Sequence, residues 1–345
     1  MKSPEYWQKR SEQISSRQFR RADALELRLN KQHNKSLKSI QKDIEAFYGR
    51  YAVNNEVTML EAKKQLDAGE LKEFKMSLEE FTEKAKNNAD GRWTKELNNV
   101  YYRTRVTRYE ALQVQIRQEI EMLSAMEQTE LTDLLIDTYK DTYHRTLYEL
   151  QSGTGIGVSF ARIDKNTLET VLNKKWASSD YSSRIWDNKT KLLRELETNL
   201  SQAFIRGDSL GKTIRMVQQR MGVSRTNAAR LVRTESAHMV GEATFKGYEQ
   251  SGVVKQYQFL STLDSRTSTV CQSMDNRIFA LSEKEVGVNY PPLHSNCRST
   301  TVAYFGDEEP SERIARDDEG NYYYVPDNMN YEEWYKKYVK GGVAA

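Results

Sequence analysis

The sequence predicts a mainly α protein, an elongated helical body that ends in a small C-terminal α+β module of three or four short strands. Three observations carry this. The five prolines fall at Pro4, Pro291, Pro292, Pro310 and Pro326, so nothing between residues 5 and 290 must break a helix for want of a backbone donor. Apolar residues recur at three- and four-residue spacing through the first 150 positions. From Val253 onward the pattern changes to period two, and β-branched and aromatic side chains take over.

Ile40, Ile44, Phe47, Tyr48 and Tyr51 mark one helical stripe, and Leu71, Phe74, Leu78 and Phe81 mark another. Three glycines in Gly153-Thr154-Gly155-Ile156-Gly157 interrupt the pattern and read as a hinge between helical groups. Helical pattern resumes over 167–176, 185–205 and 213–221. Ser224 then serves as the expected N-cap of a helix over 225–249, which Gly252 ends. Strands are expected over 254–260, 277–280 and 299–305, with one more at 322–325. Four regions follow: helical over 1–152, helical over 153–250, a strand-rich Cys/His module over 251–305, and an acidic, aromatic-rich extended tail over 306–345. The aromatics of that tail, Tyr322, Tyr323, Tyr324, Tyr331, Trp334, Tyr335 and Tyr338 with Phe305 at its root, need a surface to cover them, either the protein's own body or a partner.

Composition excludes several classes. No run approaches the roughly 18 apolar residues of a membrane span, and Met1-Lys2-Ser3-Pro4 has no apolar segment behind it, so neither an integral membrane nor a secreted protein is expected. Two cysteines in 345 residues cannot form a disulfide framework. The net charge of +3 hides an asymmetry: residues 1–50 hold twelve Lys/Arg against six Asp/Glu, and residues 301–345 hold five against ten. Within the basic head, Lys9, Arg10, Arg17, Arg20, Arg21 and Arg28 are the densest candidates for contact with DNA phosphates; an ordinary solvated helix face is the other reading.

Gly207-Asp208-Ser209-Leu210-Gly211-Lys212-Thr213 ends like a phosphate-binding loop but has three residues between its glycines where four are needed, so it reads as a connection between helices. Glu235, His238 and Glu242 share one helix face, yet no HExxH motif accompanies them. Charge pairing, or Arg233 and Glu235 locking the helix onto the sheet module, is the reading adopted. The strongest constellation joins Asp264 to Cys271 with Pro291 to Arg298. His294-x-x-Cys297 is a spacing at which a tight turn presents two ligands to one tetrahedral ion, Cys271 offers a third, and Asp264 or water a fourth. Three readings of these residues stand: a zinc site, two small buried thiols beside a hydrogen-bonded imidazole, and a reactive thiol. A zinc deaminase is excluded because no H-x-E motif exists in the chain.

The run Asp264, Arg266, Thr267, Cys271, then Asp275 and Phe279, then Pro291, Pro292, His294, Cys297 and Arg298, preceded by Arg230, Arg233, Thr234 and Glu235, resembles the C-terminal module of phage minor head proteins of the head-morphogenesis, Mu F-like family. Further pieces, Tyr6-Trp7, Phe47-Tyr48-Gly49-Arg50-Tyr51-Ala52, Glu70 to Phe74 and Arg108 to Leu112, are similar to minor capsid proteins of phages of Gram-positive hosts. Many relatives carry a cysteine where this chain has Ser268. The resemblance implies a few-copy internal virion component beside the portal vertex, assembled in the host cytoplasm and acting in head morphogenesis and in handling or ejection of packaged DNA. Its implied partners are the portal protein, scaffolding or major capsid protein, and double-stranded DNA. No catalytic residue is expected; Arg230, Arg233, Glu235, Asp264, Arg266, Thr267 and Arg298 are assigned to holding the module together. The competing reading is a metal- or thiol-dependent nuclease or hydrolase centred on Cys271, His294 and Cys297.

Overall fold

The computed structural model describes residues 2–85, 100–158, 162–306, 312–316, 322–326 and 329–340. Its helices are α1 (Pro4–Tyr51), α2 (Met59–Ala62), α3 (Ala68–Ala85), α4 (Arg108–Thr154), α5 (Lys165–Leu172), α6 (Tyr181–Arg206), α7 (Leu210–Ser251), α8 (Thr269–Met274) and α9 (Tyr331–Trp334). A three-stranded antiparallel sheet, in the order β2-β1-β3, is built from β1 (Gln256–Leu260), β2 (Ile278–Ala280) and β3 (Thr300–Tyr304). The mainly α class with a small strand-bearing C-terminal module is therefore what the chain adopts.

The chain divides into two compact units, one of Met1–Leu25, Leu131–Tyr181 and Arg230–Ala345, the other of Glu26–Glu130 and Ser182–Ala229. The second is a helical core. Ile40, Ile44, Phe47 and Tyr48 of α1 pack with Leu112, Ile116, Ile120 and Leu123 of α4, Leu192, Leu196, Leu200 and Phe204 of α6, and Val217 and Met221 of α7. The three- and four-residue spacing in each set puts it on one side of its helix. Phe74 and Leu78 bury in a neighbouring cluster with Val106 and Ala111; the Phe81 side chain lies outside the described residues. The would-be phosphate loop folds on itself here: the Asp208 carboxylate accepts from Arg206 at 2.6 Å and from Lys212 at 2.5 Å, so the lysine is engaged within the loop.

The expected break at Ser224 is absent. Residues 213–221 and 225–249 form one helix, α7, because Ser224 does not cap: its hydroxyl and carbonyl accept from the Asn188 side chain, and the backbone continues without a proline to stop it. Gly252, at φ 67°, does end the helix, and the Ser251 hydroxyl accepts from the Val253 amide at 3.3 Å. The glycine segment also differs from a hinge at its start. Gly153 lies within the last turn of α4, where an added Cβ would collide with the Trp7 ring, and the chain leaves the helix only at Gly155, φ 72°.

In the other unit the sheet lays Tyr257, Leu260, Val302 and Ala303 against Tyr248, Leu150, Trp7 and Tyr290. The region read as an extended tail is structured wherever it is described. Strand β4 (Glu312–Arg316), absent from the sequence reading, pairs antiparallel with β5 (Tyr322–Pro326), and Tyr331 and Trp334 bury with Leu263, Ala315 and Val325. For Tyr331, Trp334, Tyr323 and Phe305 the covering surface is the protein's own body: the Trp334 indole donates to Tyr323 Oη at 2.6 Å, and Phe305 sits 5.0 Å from Trp7, whereas Tyr324 is exposed. Residues 307–311, 317–321, 327–328 and 341–345 of that region lie outside the described residues.

Two glycines of α7 should respond oppositely to a methyl group. Gly241→Ala, whose Cβ would lie 2.9 Å from the Pro291 carbonyl oxygen, is expected to destabilise by about 1–3 kcal/mol. Gly222→Ala, with nothing within 4 Å, is expected to stabilise by about 0.5–1 kcal/mol in urea unfolding.

Candidate functional site

Helix α7 from Arg230 onward is the element on which the site is built. Thr234, Gly241, Phe245 and Tyr248 follow at seven, four and three residues, so they share one face. Along that face Thr234 Oγ1 accepts from the Asn296 amide at 3.0 Å, the Gly241 carbonyl accepts from Tyr290 Oη at 2.9 Å, and Tyr248 Oη donates to the Thr301 carbonyl at 3.1 Å. At the edge of the face, Glu242 accepts from Lys284 at 2.7 Å and from Lys174 at 2.8 Å. Burial alone would raise the Glu242 carboxyl; the two ammonium groups outweigh it and hold it at about 2. Burial pulls Lys284 the other way, below its ordinary value, so part of the gain at the carboxylate is offset at its partner.

Arg233 pairs in charge, the first of the two expected uses, and Glu235 meets an indole. Arg233 Nε lies 3.4 Å from Asp23 of α1, and Glu235 accepts from the Trp176 indole at 3.0 Å. They sit about 100° to either side of Thr234, so these contacts run past the sheet module. The Arg230 carbonyl accepts from Thr234 Oγ1 at 2.6 Å, which orients that hydroxyl's lone pairs toward Asn296. His238 stacks on Trp176 with centroids 4.6 Å apart.

The loop between β1 and α8 is closed by one carboxylate. Asp264 takes both guanidinium arms of Arg298, Nη2 to Oδ1 at 2.8 Å and Nη1 to Oδ2, and accepts from the Arg266 amide at 2.9 Å and from Thr267 Oγ1 at 3.2 Å. Thr262 Oγ1 donates to the Arg298 carbonyl at 3.0 Å, a second tie between the two segments, and Thr267 Oγ1 donates to the Thr262 carbonyl within the loop. Burial would raise the Asp264 carboxyl, but the Arg298 charge and hydrogen bonds outweigh it and hold it below the usual range. The Arg266 side chain itself is 78% exposed.

Cys271, His294 and Cys297 do come together, and among the described residues they are the one cluster of three Cys/His/Asp/Glu side chains suited to hold a metal. Asp264 does not join them, being committed to Arg298. Ser268 caps α8 by accepting from the Cys271 amide at 3.3 Å, which fixes where the Cys271 side chain points. The His294–Cys297 turn is closed by the Cys297 amide donating to the His294 carbonyl, with Asn296 at φ 60°, a conformation asparagine tolerates better than most residues. Cys271 Sγ then lies 3.7 Å from Cys297 Sγ and 3.3 Å from His294 Nε2, and Ser268 Oγ lies 2.7 Å from the same nitrogen. Both thiols are buried beside Phe259 and Met274. The Cys271 hydrogen bond draws the Cys297 thiol well down, while that bond and burial push Cys271 up. The hydrogen bond to Cys297 raises His294.

Four of the six head cations are paired with carboxylates of α4, and all four of these fall on one side of α1. Arg10 meets Glu149 at 3.3 Å, Arg17 meets Asp141 at 3.0 Å, Arg21 meets Asp137 at 3.0 Å and Arg28 meets Glu130 at 2.9 Å. Neutral pairing, invisible in a count over residues 1–50, removes most of the excess charge expected to face phosphates. Lys9 and Arg20 are exposed.

The comparisons with known proteins bear on the same segment. Residues 194–302 match the family described as Phage Mu protein F like protein, a span that contains every motif residue from Arg230 to Arg298. Beyond that segment, the chain is 24% identical to the minor head protein GP7 of Bacillus phage SPP1, over 80% of this chain and 92% of that protein. The resemblance to phage minor head proteins is thereby shown. It is also 22% identical, over 57% of its length, to an NAD(+)–arginine ADP-ribosyltransferase of Enterococcus faecalis, of which it spans 42%. No solved structure matches it.

The Asp264–Arg298 tie gives a testable pH dependence. The folded carboxyl lies below its unfolded value of about 3.9, so its contribution is complete above that value and is lost as pH falls through the depressed one. Asp264→Asn should lower stability at pH 7 by about 1.5–3 kcal/mol and show a smaller loss than wild type on acidification from pH 4 downward, read from urea midpoints.

Proposed function

We propose that this chain is a minor head protein of a tailed phage, an internal, few-copy virion component at the portal vertex that acts in head assembly and in the passage of packaged DNA, and that it converts no substrate. The observation that carries the reading is the similarity to a phage minor head protein along 92% of that protein's length. The site's chemistry supports it. The motif carboxylate Asp264 binds Arg298, the motif hydroxyls bind loop backbone, and both thiols are buried. A nucleophile or general base acting on a substrate needs an approach from solvent, and Asp264, Cys271 and Cys297 are buried. Partners are expected among capsid components, with portal protein as the first candidate. Among the described residues no helix is long and apolar enough to cross a membrane.

Contact with DNA, in this reading, falls to Lys9 and Arg20, eleven residues apart and so on one face of α1 about 16 Å from each other. Two phosphate contacts give a salt dependence with a slope of about −2 in log–log form, where six would give about −5.

The experiment is a virion assay. In purified particles of the encoding phage the protein should co-sediment with heads, resist protease until the head is opened, and be captured by portal protein on co-expression. Absence from intact particles overturns the assignment. For DNA, a slope near −2 that Lys9→Gln with Arg20→Gln abolishes is expected; a slope near −5 would return the paired arginines to the interface.

A further inference from the structure

The cluster at Cys271, His294 and Cys297 has the dimensions of an ion's coordination shell. In a tetrahedral zinc site with Zn–S of about 2.3 Å and Zn–N of about 2.0 Å, neighbouring sulfurs lie about 3.8 Å apart and sulfur and nitrogen about 3.5 Å apart. The corresponding separations here are 3.7 Å and 3.3 Å, and all three donor atoms fall within 4.8 Å of one another. A disulfide needs its sulfurs at about 2.05 Å, and a simple hydrogen-bonded thiol pair gives no reason for an imidazole to face both thiols.

The imidazole supplies a second, independent observation. His294 Nδ1 is 2.8 Å from the Ser295 carbonyl, which accepts only if Nδ1 carries the proton. The lone pair is thereby placed on Nε2, the nitrogen that faces Cys271, and this back-bonded arrangement is how ligating histidines are oriented. Ser268 Oγ is adjacent to the cluster, within hydrogen-bond distance of that nitrogen at 2.7 Å, and would move out by about half an ångström to stand at a corner of the shell.

We propose that Cys271, His294 and Cys297 bind one Zn2+ as a structural ion that ties α8 to the His294–Cys297 turn, with Ser268 at the fourth corner. The ion takes both cysteines as thiolates and the imidazole in its neutral form, so affinity rises with pH. The ion joins the two segments that bracket β2, and through Asn296 the turn is already fastened to Thr234 of α7. The site's role is independent of where the protein acts.

The test uses the full-length chain purified without chelator. Elemental analysis should give about one zinc per chain, and replacement by Co2+ should produce the intense visible absorption of a tetrahedral site together with thiolate charge-transfer bands. His294→Ala and Cys297→Ser should abolish both. Stripping wild-type protein with a chelator should lower its melting temperature, and Zn2+ alone should restore it, which keeps the proposal testable should the variants fold poorly. Ser268→Cys should tighten Zn2+ binding at least tenfold in competition with a chelator and add a third thiolate to the Co2+ spectrum. Native protein that carries no metal, takes up no Co2+ and melts unchanged, or that is recovered with Cys271 and Cys297 disulfide-bonded, overturns it.

Discussion

Hydrogen at the Cα of Gly241 is the constraint on which the terminal module depends. With no side chain there, the Tyr290–Pro291 backbone comes to van der Waals contact with α7, and the Tyr290 hydroxyl reaches the Gly241 carbonyl from a fully buried position. Two further ties flank this approach on the same face. Thr234 reaches Asn296 one side of it, and Tyr248 reaches Thr301 on the other, so the loop carrying His294 and Cys297 is pinned at both ends to one rigid helix. The residues between are held in register for the Asp264–Arg298 pair and the thiol–imidazole cluster, which lie outside the helix and could not be ordered by local sequence alone.

Much of the helical architecture was legible because amphipathic spacing is a local signal. Ile40, Ile44, Phe47 and Tyr48 bury as their spacing requires, and the three strands of the central sheet fall within two residues of their expected bounds. Ser224 misleads because a serine is a good cap only when the backbone before it is not already helical; its hydroxyl finds Asn188, 36 residues away in no pattern a window can see. Strand β4 escaped because Glu312-Arg313-Ile314-Ala315-Arg316 is short and highly charged, and it becomes a strand through pairing with the aromatic β5.

The site divides in the same way. The identity of the Cys/His cluster followed from spacing, since a tight turn limits where two side chains three residues apart can point. The partners of Arg233, Glu235 and Asp264 did not, because each depends on which helix or loop arrives from elsewhere in the chain. Gly241 does carry a sequence signal: an isolated glycine in an otherwise helical run costs stability and needs a packing reason. The basic head shows the converse case. Charge counted along a sequence ignores a neighbouring helix, and the carboxylates that answer Arg10, Arg17, Arg21 and Arg28 lie about a hundred or more residues downstream.

The account rests on the loops of the strand-bearing module being fastened to α7 as one cooperative unit. Native-state hydrogen exchange of the full chain measures this directly. The amides of Phe259, Asn296 and Cys297 should open with the same free energy as those of Val240 and Ala243, to within about 1 kcal/mol. Loop amides that exchange by a separate, much cheaper opening while α7 stays protected would contradict it.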